Sequence, residues 1–258
     1  MYRILIAQPC YSTQTNRDSM AAATMSLSQR EDVSADYHSY NSSSLTTCFN
    51  VLWCRGLNAA VKGETTHFAM LHNDVIPEPW WLDKLLGIME RRANDLVSVA
   101  IPIKDTRGVT SCGLGDPRTQ FDVRRFTMAE LYEKLPATFD QADVDHSTLN
   151  PECWPLVFNT GCWLADLRNP AWRELDEEGR ARFFFTMNDE IRPNECGEFH
   201  PYFEPEDWFF SKLCAKNLMT YSVTREVRVK HHGEADYTNE RPWGTQTIDE
   251  LWRNKQCV

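Results

Sequence analysis

Hydrophobic positions along the chain alternate between short continuous runs and helical stripes, and that alternation sets the expected fold. "RILIA" (3–7) is an unbroken apolar run ending at Gln8-Pro9, as a buried strand does. Residues 17–30 are helix-compatible, and 44–62 carry Leu45, Phe49, Leu52, Leu57 and Val61 at roughly helical spacing before Gly63 stops them. "THFAMLH" (66–72) reads as a second strand, with Phe68, Met70 and His72 on one face and Ala69 and Leu71 on the other. Pro77 and Pro79 open a helix striped by Trp81, Leu82, Leu85, Leu86 and Met89, and "LVSVAIPI" (96–103) is a further strand. Strand, helix, strand, helix, strand predicts an α/β, Rossmann-like, mainly parallel sheet with helices on both faces.

From 104 the pattern loosens around one short helix signalled by the capping box Thr127-x-x-Glu130. Order returns at "PLVFNTGCWLAD" (155–166), a strand interrupted by Gly161, where the backbone needs a close approach. Asn169-Pro170 caps another helix. "FEPEDWFFSKLCAKN" (203–217) predicts a helix with Pro205 near its start, Glu206 and Asp207 in its first turn and Asn217 as a left-handed stop. In the strand that follows, Val227, Val229 and His231 share one face, which turns His231 inward and His232 toward solvent. One domain is expected: residues 1–103 and 155–233 as two halves, 104–154 as an excursion and 234–258 as a tail.

Composition narrows the function classes. The 258 residues are 42% apolar and 25% charged, enough for one sizeable core. A net charge of −10 argues against broad capture of nucleic acid or anionic membrane, and no run approaches a membrane span. Nine scattered cysteines, none in C-x-x-C spacing, indicate neither a disulfide framework nor a zinc knuckle, and without a secretory leader pattern a cytoplasmic setting fits. Nine tryptophans exceed what packing alone usually needs.

Polar groups collect where elements end: His72-Asn73-Asp74 after a strand, Glu206-Asp207 at a helix start, His231 late in a strand. Ligands of open α/β sheets bind beyond the carboxyl ends of the strands. There Asp74 offers a hard oxygen and His231 a nitrogen to one divalent cation, with positions left for a diphosphate. Each residue also has a structural reading: Asp74 as a helix cap, the two acids as dipole partners, His231 as a core histidine.

The series resembles the GT-A glycosyltransferases, especially family 2-like enzymes and related proteins encoded by bacteriophages. "THFAMLHND" is similar to that family's strand leading to D-x-D, with His72 in the first aspartate's place and Asp74 as the second. "VFNTGCWLAD" resembles its acceptor-side strand, "FEPEDWFFSKLCAKN" its E-D helix and "VKHHG" its H-x-G. The resemblance implies Mn²⁺ or Mg²⁺ held by Asp74 and His231, with His72 assisting, and Asp207 as the general base of an inverting transfer from a nucleotide sugar, of which UDP-sugars are the expected class. Glu206 would position that base or bind the acceptor. Gln8, Pro9 and Tyr11 stand where the family's nucleotide-binding turn stands; Asp36 is matched to base or ribose, Arg55 (with Asn58) to the family's early Arg-Asn pair, and Asn73 to the donor side. Gly161, Trp163 and Trp208 flank the implied acceptor, which is open among a glycan, a small molecule, a protein and a modified DNA base. The first D-x-D aspartate is absent, and Asn217 stands where a glycine is usual.

The alternative class is a non-catalytic nucleotide-sugar or glycan-binding protein on the same fold, which the altered D-x-D admits. A sugar-nucleotide pyrophosphorylase lacks its glycine-rich loop, since "AQPCYSTQTNRD" holds no glycine. A metallohydrolase would need His231 and His232 on one ion, against their opposite facing, and H-E-x-x-H is absent. No G-x-S-x-G elbow or P-loop occurs.

Overall fold

A computed structural model describes residues 1–10, 17–25, 29–193 and 196–244. The first half runs β1 (Tyr2–Cys10), α1 (Arg17–Met25), β2 (Val33–Asn41), α2 (Leu45–Val61), β3 (His67–Leu71), β4 (Val75–Pro77), α3 (Trp81–Arg92) and β5 (Leu96–Val99). There follow β6 (Val109–Gly115), β7 (Val123–Thr127), α4 (Met128–Lys134), β8 (Thr138–Phe139), α5 (Gln141–Asp145), β9 (Leu156–Val157) and β10 (Cys162–Asp166). A 3-10 turn (Pro170–Arg173) leads to β11 (Asn188–Pro193), β12 (Phe199–Glu204), α6 (Glu206–Lys216), β13 (Tyr221–Thr224), β14 (Val229–His232) and β15 (Asp236–Thr238).

Seven strands form the central sheet in the order β2-β1-β3-β10-β5-β13-β8. β2, β1, β3, β5 and β13 run one way, while β10 and β8 run against them. This is the mainly parallel α/β architecture expected from the alternation of runs and stripes. Phe68 and Met70 of β3 pack with Phe49, Leu52 and Trp53 of α2 on one face, whereas Ala69 and Leu71 meet Leu82, Leu85 and Leu86 of α3 on the other. Both faces of β3 are buried, which is why its sequence is continuously apolar.

The helix signals act as expected at several ends. Ser44 caps α2 by accepting from the Thr47 N–H at 3.4 Å, and Gly63 follows it with φ +70°. The Thr127–Glu130 capping box opens α4, and a second one, Asp140–Asp143, opens α5. Other boundaries differ. β1 continues through Pro9 to Cys10; its pairing with β3 ends at Ala7, so the proline's missing N–H costs no bond on that side. Pro77 belongs to β4, not to the next helix, and the Asn169-Pro170 signal yields only a 3-10 turn. Asn217 ends α6 without a left-handed backbone, which Leu218 takes instead at φ 56°.

The helix-to-sheet spacing is set at Gly56, where a Cβ would lie 2.5 Å from Cδ2 of the fully buried Phe68. That ring is walled by Trp53 and Trp163 at 5.0 and 5.3 Å and has nowhere to turn. Gly56→Ala is therefore expected to destabilise the fold by about 1–3 kcal/mol in urea unfolding, the usual cost of overpacking a filled core; an unchanged midpoint would mean that α2 is free to lift.

Smaller sheets position the polar groups. β4, β14 and β15 form a three-stranded antiparallel sheet, and β6 pairs with both β7 and β9. α6 is held by the Ser211 hydroxyl, which accepts from the Phe158 N–H at 3.0 Å, and by the Trp208 indole, which donates to the Ser111 carbonyl at 3.2 Å. The described part of the tail is tied down: the Asn239 amide donates to the carbonyls of Ala100 and Val227 and accepts from the Val229 N–H. The C-terminal tail carries a further capping signal, Thr247-x-x-Glu250, which with Trp252 lies outside the described residues, as does Tyr11.

Candidate functional site

β3 delivers His72 at its carboxyl end, and the chain turns through Asn73 and Asp74 into β4. Pairing of β4 with β14 sets Val75 opposite His231, and the His232 N–H donates to the Asp74 carbonyl at 2.7 Å. The outcome is that His231 Nε2 lies 3.7 Å from Asp74 Oδ2. Asp74 is thus no helix cap: β4 separates it from α3, whose N-cap is Trp80. His231 faces inward as its strand phase requires, while His232 is exposed and paired with Asp236 at 3.0 Å.

The chemistry of this corner follows from its bonds. His231 Nδ1 lies 2.8 Å from the Pro102 carbonyl. A carbonyl only accepts, so Nδ1 carries a proton, and Nε2 is the nitrogen turned toward Asp74, as in an imidazole whose other N–H is anchored to a carbonyl. Lys104 donates to the same Asp74 Oδ2. Burial alone would raise the Asp74 carboxyl, but His231, His72 and Lys104 more than offset it and hold it well below the usual carboxylate range. Burial pushes the His72 imidazole down to about 4, keeping it neutral and able to act as a ligand. Two atoms here are buried without any hydrogen-bond partner: Asp74 Oδ1 and His72 Nε2. Such orphans are rare away from sites that receive something.

Among the described residues no three of His, Cys, Asp and Glu converge into a complete metal-ligand set. A cation that keeps several waters and takes substrate phosphate oxygens needs only one or two protein ligands, as Mg²⁺ commonly does. One carboxylate, one imidazole with its tautomer fixed and two orphaned polar atoms fit that incomplete set.

The second group stands at the first turn of α6. Glu206 and Asp207 are both only 7% exposed. Burial and the neighbouring Glu206 push the Asp207 carboxyl up to about 8, against the opposing pull of Arg125 and the Trp208 N–H. Burial likewise raises Glu206. Arg125, on β7, stacks on the Trp208 ring with its guanidinium carbon 4.8 Å from the centroid. Residues 158–161 connect the two groups: Phe158 bonds Ser211 of α6, Asn159 accepts from the Gly161 N–H at 2.6 Å, and the Gly161 carbonyl accepts from the His72 N–H at 2.8 Å.

Several sequence-predicted site residues have other duties. Gln8 is fully buried, donating to Ser19 Oγ at 2.9 Å and accepting from the Tyr37 hydroxyl at 2.8 Å; with Ser19 bonded on to the His72 carbonyl, it braces the strand ends and presents no free amide to a nucleotide. Pro9 is buried within β1. Asp36 is exposed in the middle of edge strand β2, opposite Leu5 and short of the sheet's carboxyl end. Arg55 is exposed on α2, where it donates to the Ser39 carbonyl at 3.3 Å and lies over Tyr40. Trp163 is fully buried between Trp53, Phe68, Phe185 and Phe210, so it is core and cannot meet an acceptor. Trp208 is 5% exposed and covered by Arg125, which leaves no open face for a sugar ring. The close approach at Gly161 is made by the protein itself: a Cβ there would lie 2.8 Å from Asn159 Oδ1 and 3.0 Å from Ile101 Cδ1. Asn73 remains half-buried beside Asp74 in the turn.

Sequence reasoning missed Lys104 and Arg125. Lys104 follows the apolar run 96–103 directly, the same signal that marks His72, and is readable in retrospect. Arg125 carried none, because only the fold of residues 109–127 turns it toward α6.

No family model matches this chain, and neither does any curated protein sequence. Among solved structures it is similar to A197 from STIV, with 12% identity, coverage of 96% of both chains and a TM-score of 0.51. A fainter likeness, with a TM-score of 0.44 and 11% identity, is to S. aureus TarS 1-349 in complex with UDP-GlcNAc, covering 96% of this chain and 61% of that one. The likeness to A197 from STIV, at that identity, shows the fold alone, an α/β domain. Among the described residues no helix is long and apolar enough to cross a membrane. Of the described cysteines seven are free thiols, and Cys196 is disulfide-bonded, a pairing that the scattered spacing did not suggest.

Proposed function

We propose that this protein is a glycosyltransferase that takes its sugar from a nucleotide-sugar donor, with UDP-sugars as the donor class. The observation that carries the reading is the meeting of Asp74 and His231 at the carboxyl end of the sheet, where a diphosphate binds in this architecture. Asp74 and His231, with His72 beside them, would hold Mn²⁺ or Mg²⁺. When bound, that ion supplies Lewis-acid stabilisation to the departing nucleoside diphosphate.

The remaining work falls to the chain's own side chains. Lys104 adds positive charge at the diphosphate end. Asp207 takes the proton of the acceptor hydroxyl as that oxygen attacks the anomeric carbon from the side opposite the leaving group, an inverting displacement. Glu206 holds Asp207's affinity for the proton high, and Arg125 keeps its ionised form within reach of neutral pH. Trp208 and Arg125 close the back of the acceptor side and exclude water that would consume the donor.

A thermal-shift panel of nucleotide sugars with and without Mn²⁺ tests the reading. UDP-sugars are expected to give the largest rise in Tm, and the rise is expected to require metal, because a ligand stabilises only the state that binds it. No donor-dependent rise under either condition would overturn it.

A further inference from the structure

The cation seat at Asp74 already has an occupant. Lys104 Nζ donates to Asp74 Oδ2, the oxygen that His231 Nε2 approaches at 3.7 Å. The lysine's stem reaches there alongside Gly233, where a Cβ would lie 3.1 Å from Lys104 Cδ and 3.5 Å from its Cβ and Cγ. Glycine at that position leaves the stem its path. The arrangement is only half satisfied, since Asp74 Oδ1 and His72 Nε2 stay buried without partners while Oδ2 receives the ammonium.

An ammonium and a divalent ion cannot both sit on one carboxylate oxygen. At contact distance in a half-buried corner their repulsion is far larger than in water. Lysine is suited to leaving: its charge is compact, and its four-carbon stem swings without breaking a planar, bidentate contact as arginine would. Lys104's side chain is also 36% exposed, so its exit is not blocked.

We propose that Lys104 is the resting occupant of the cation seat, that the divalent ion displaces it, and that its ammonium then pairs with the diphosphate arriving with that ion. The proposal rests on the metal-assisted reading above and deepens it. Its consequence is coupling. The ion alone binds weakly, because it must expel Lys104 with no anion to receive the ammonium; ion and nucleotide together bind well, each raising the other's affinity by the same factor. The protein would then hold its metal only when a donor is present.

The test is a Mn²⁺ titration of the full chain, followed by the electron paramagnetic resonance signal of the free aquo ion, with and without UDP. Wild type, Lys104→Met and Asp74→Asn are compared, with Lys104→Gln as a second variant should the first fold poorly. Lys104→Met is expected to bind Mn²⁺ without UDP about tenfold tighter than wild type, and to bind UDP at saturating Mn²⁺ about tenfold more weakly, a change within the usual range of coupling between sites. Asp74→Asn is expected to lose Mn²⁺ in both conditions. Equal Mn²⁺ affinity in wild type and the Lys104 variants overturns the exchange, as does UDP affinity that those variants leave untouched. UDP binding that ignores Mn²⁺ in every chain also removes the exchange but leaves the nucleotide-sugar reading standing; UDP binding by no chain under any condition removes both.

Discussion

Asp207→Asn is expected to lower kcat by about 10²–10⁴-fold, the range that a positioned general base contributes, while donor affinity stays within about twofold of wild type. The carboxyl leaves with almost no change of shape, so a loss confined to kcat reports the proton transfer and not the fold. A pH profile sharpens the result. Asp207 must be ionised to accept a proton, and burial beside Glu206 raises its carboxyl to about 8. The wild-type rate should therefore climb with pH through neutrality and level off above about 8, with slope near one in log kcat/KM below that point. Asp207→Asn removes this ascending limb. Arg125→Met moves it upward, because the guanidinium near Asp207 favours the ionised form. A variant that keeps the wild-type limb would show that another group is the base. Release of the nucleoside diphosphate, with water as acceptor if no other is found, is the assay.

The same raised affinity for the proton has a stability consequence of fixed sign. Asp207 binds its proton more tightly folded than unfolded, so its contribution favours the native state below the ordinary carboxylate range and is lost as pH rises through about 8.

Asp74→Asn is the second large effect. It keeps the size of the side chain and removes the charge that Lys104 and His231 address. Loss of the cation's support for a leaving diphosphate amounts to several kcal/mol, a rate decrease on the order of 10³-fold. Calorimetry with Mn²⁺ and UDP should show the ion's binding gone, and the unfolding midpoint should fall, because the folded state favours the ionised carboxyl that the substitution removes. Retained metal binding in this variant would move the cation elsewhere on the protein.

How much of this was legible beforehand depended on the range of the interaction concerned. Local rules read well: continuous apolar runs became the central strands, the helical stripe from Trp81 to Met89 became the buried face of α3, and strand phase turned His231 inward and His232 out. Residues 109–157 read poorly because β6 carries two glycines and a register shift against β7, and its other partner, β9, is only two residues long and lies far along the chain. Tryptophans were misread for a related reason. Trp163 has the same neighbours in sequence whether it faces a sugar or a core, and only the stacking of Phe210 and Phe185, with centroids 4.3 Å apart, fixes that region as interior. Gln8 shows the converse error: a polar residue at a strand end suggests a ligand, but its amide is consumed by Ser19 and Tyr37. Lys104 carries the same signal as His72, a polar residue directly after an apolar run, but a lysine after a strand is so often solvated that the signal marks no site.

One feature of the fold bears on how the protein is made. The β4–β14 pairing that joins Asp74 to His231 is backed by Arg228 and Glu78, whose hydrogen bond spans 150 residues of sequence. The ribosome produces the first three parallel strands long before that partner. Competence for chemistry would thus arrive late in synthesis, only after β10 and β13 have completed the central sheet.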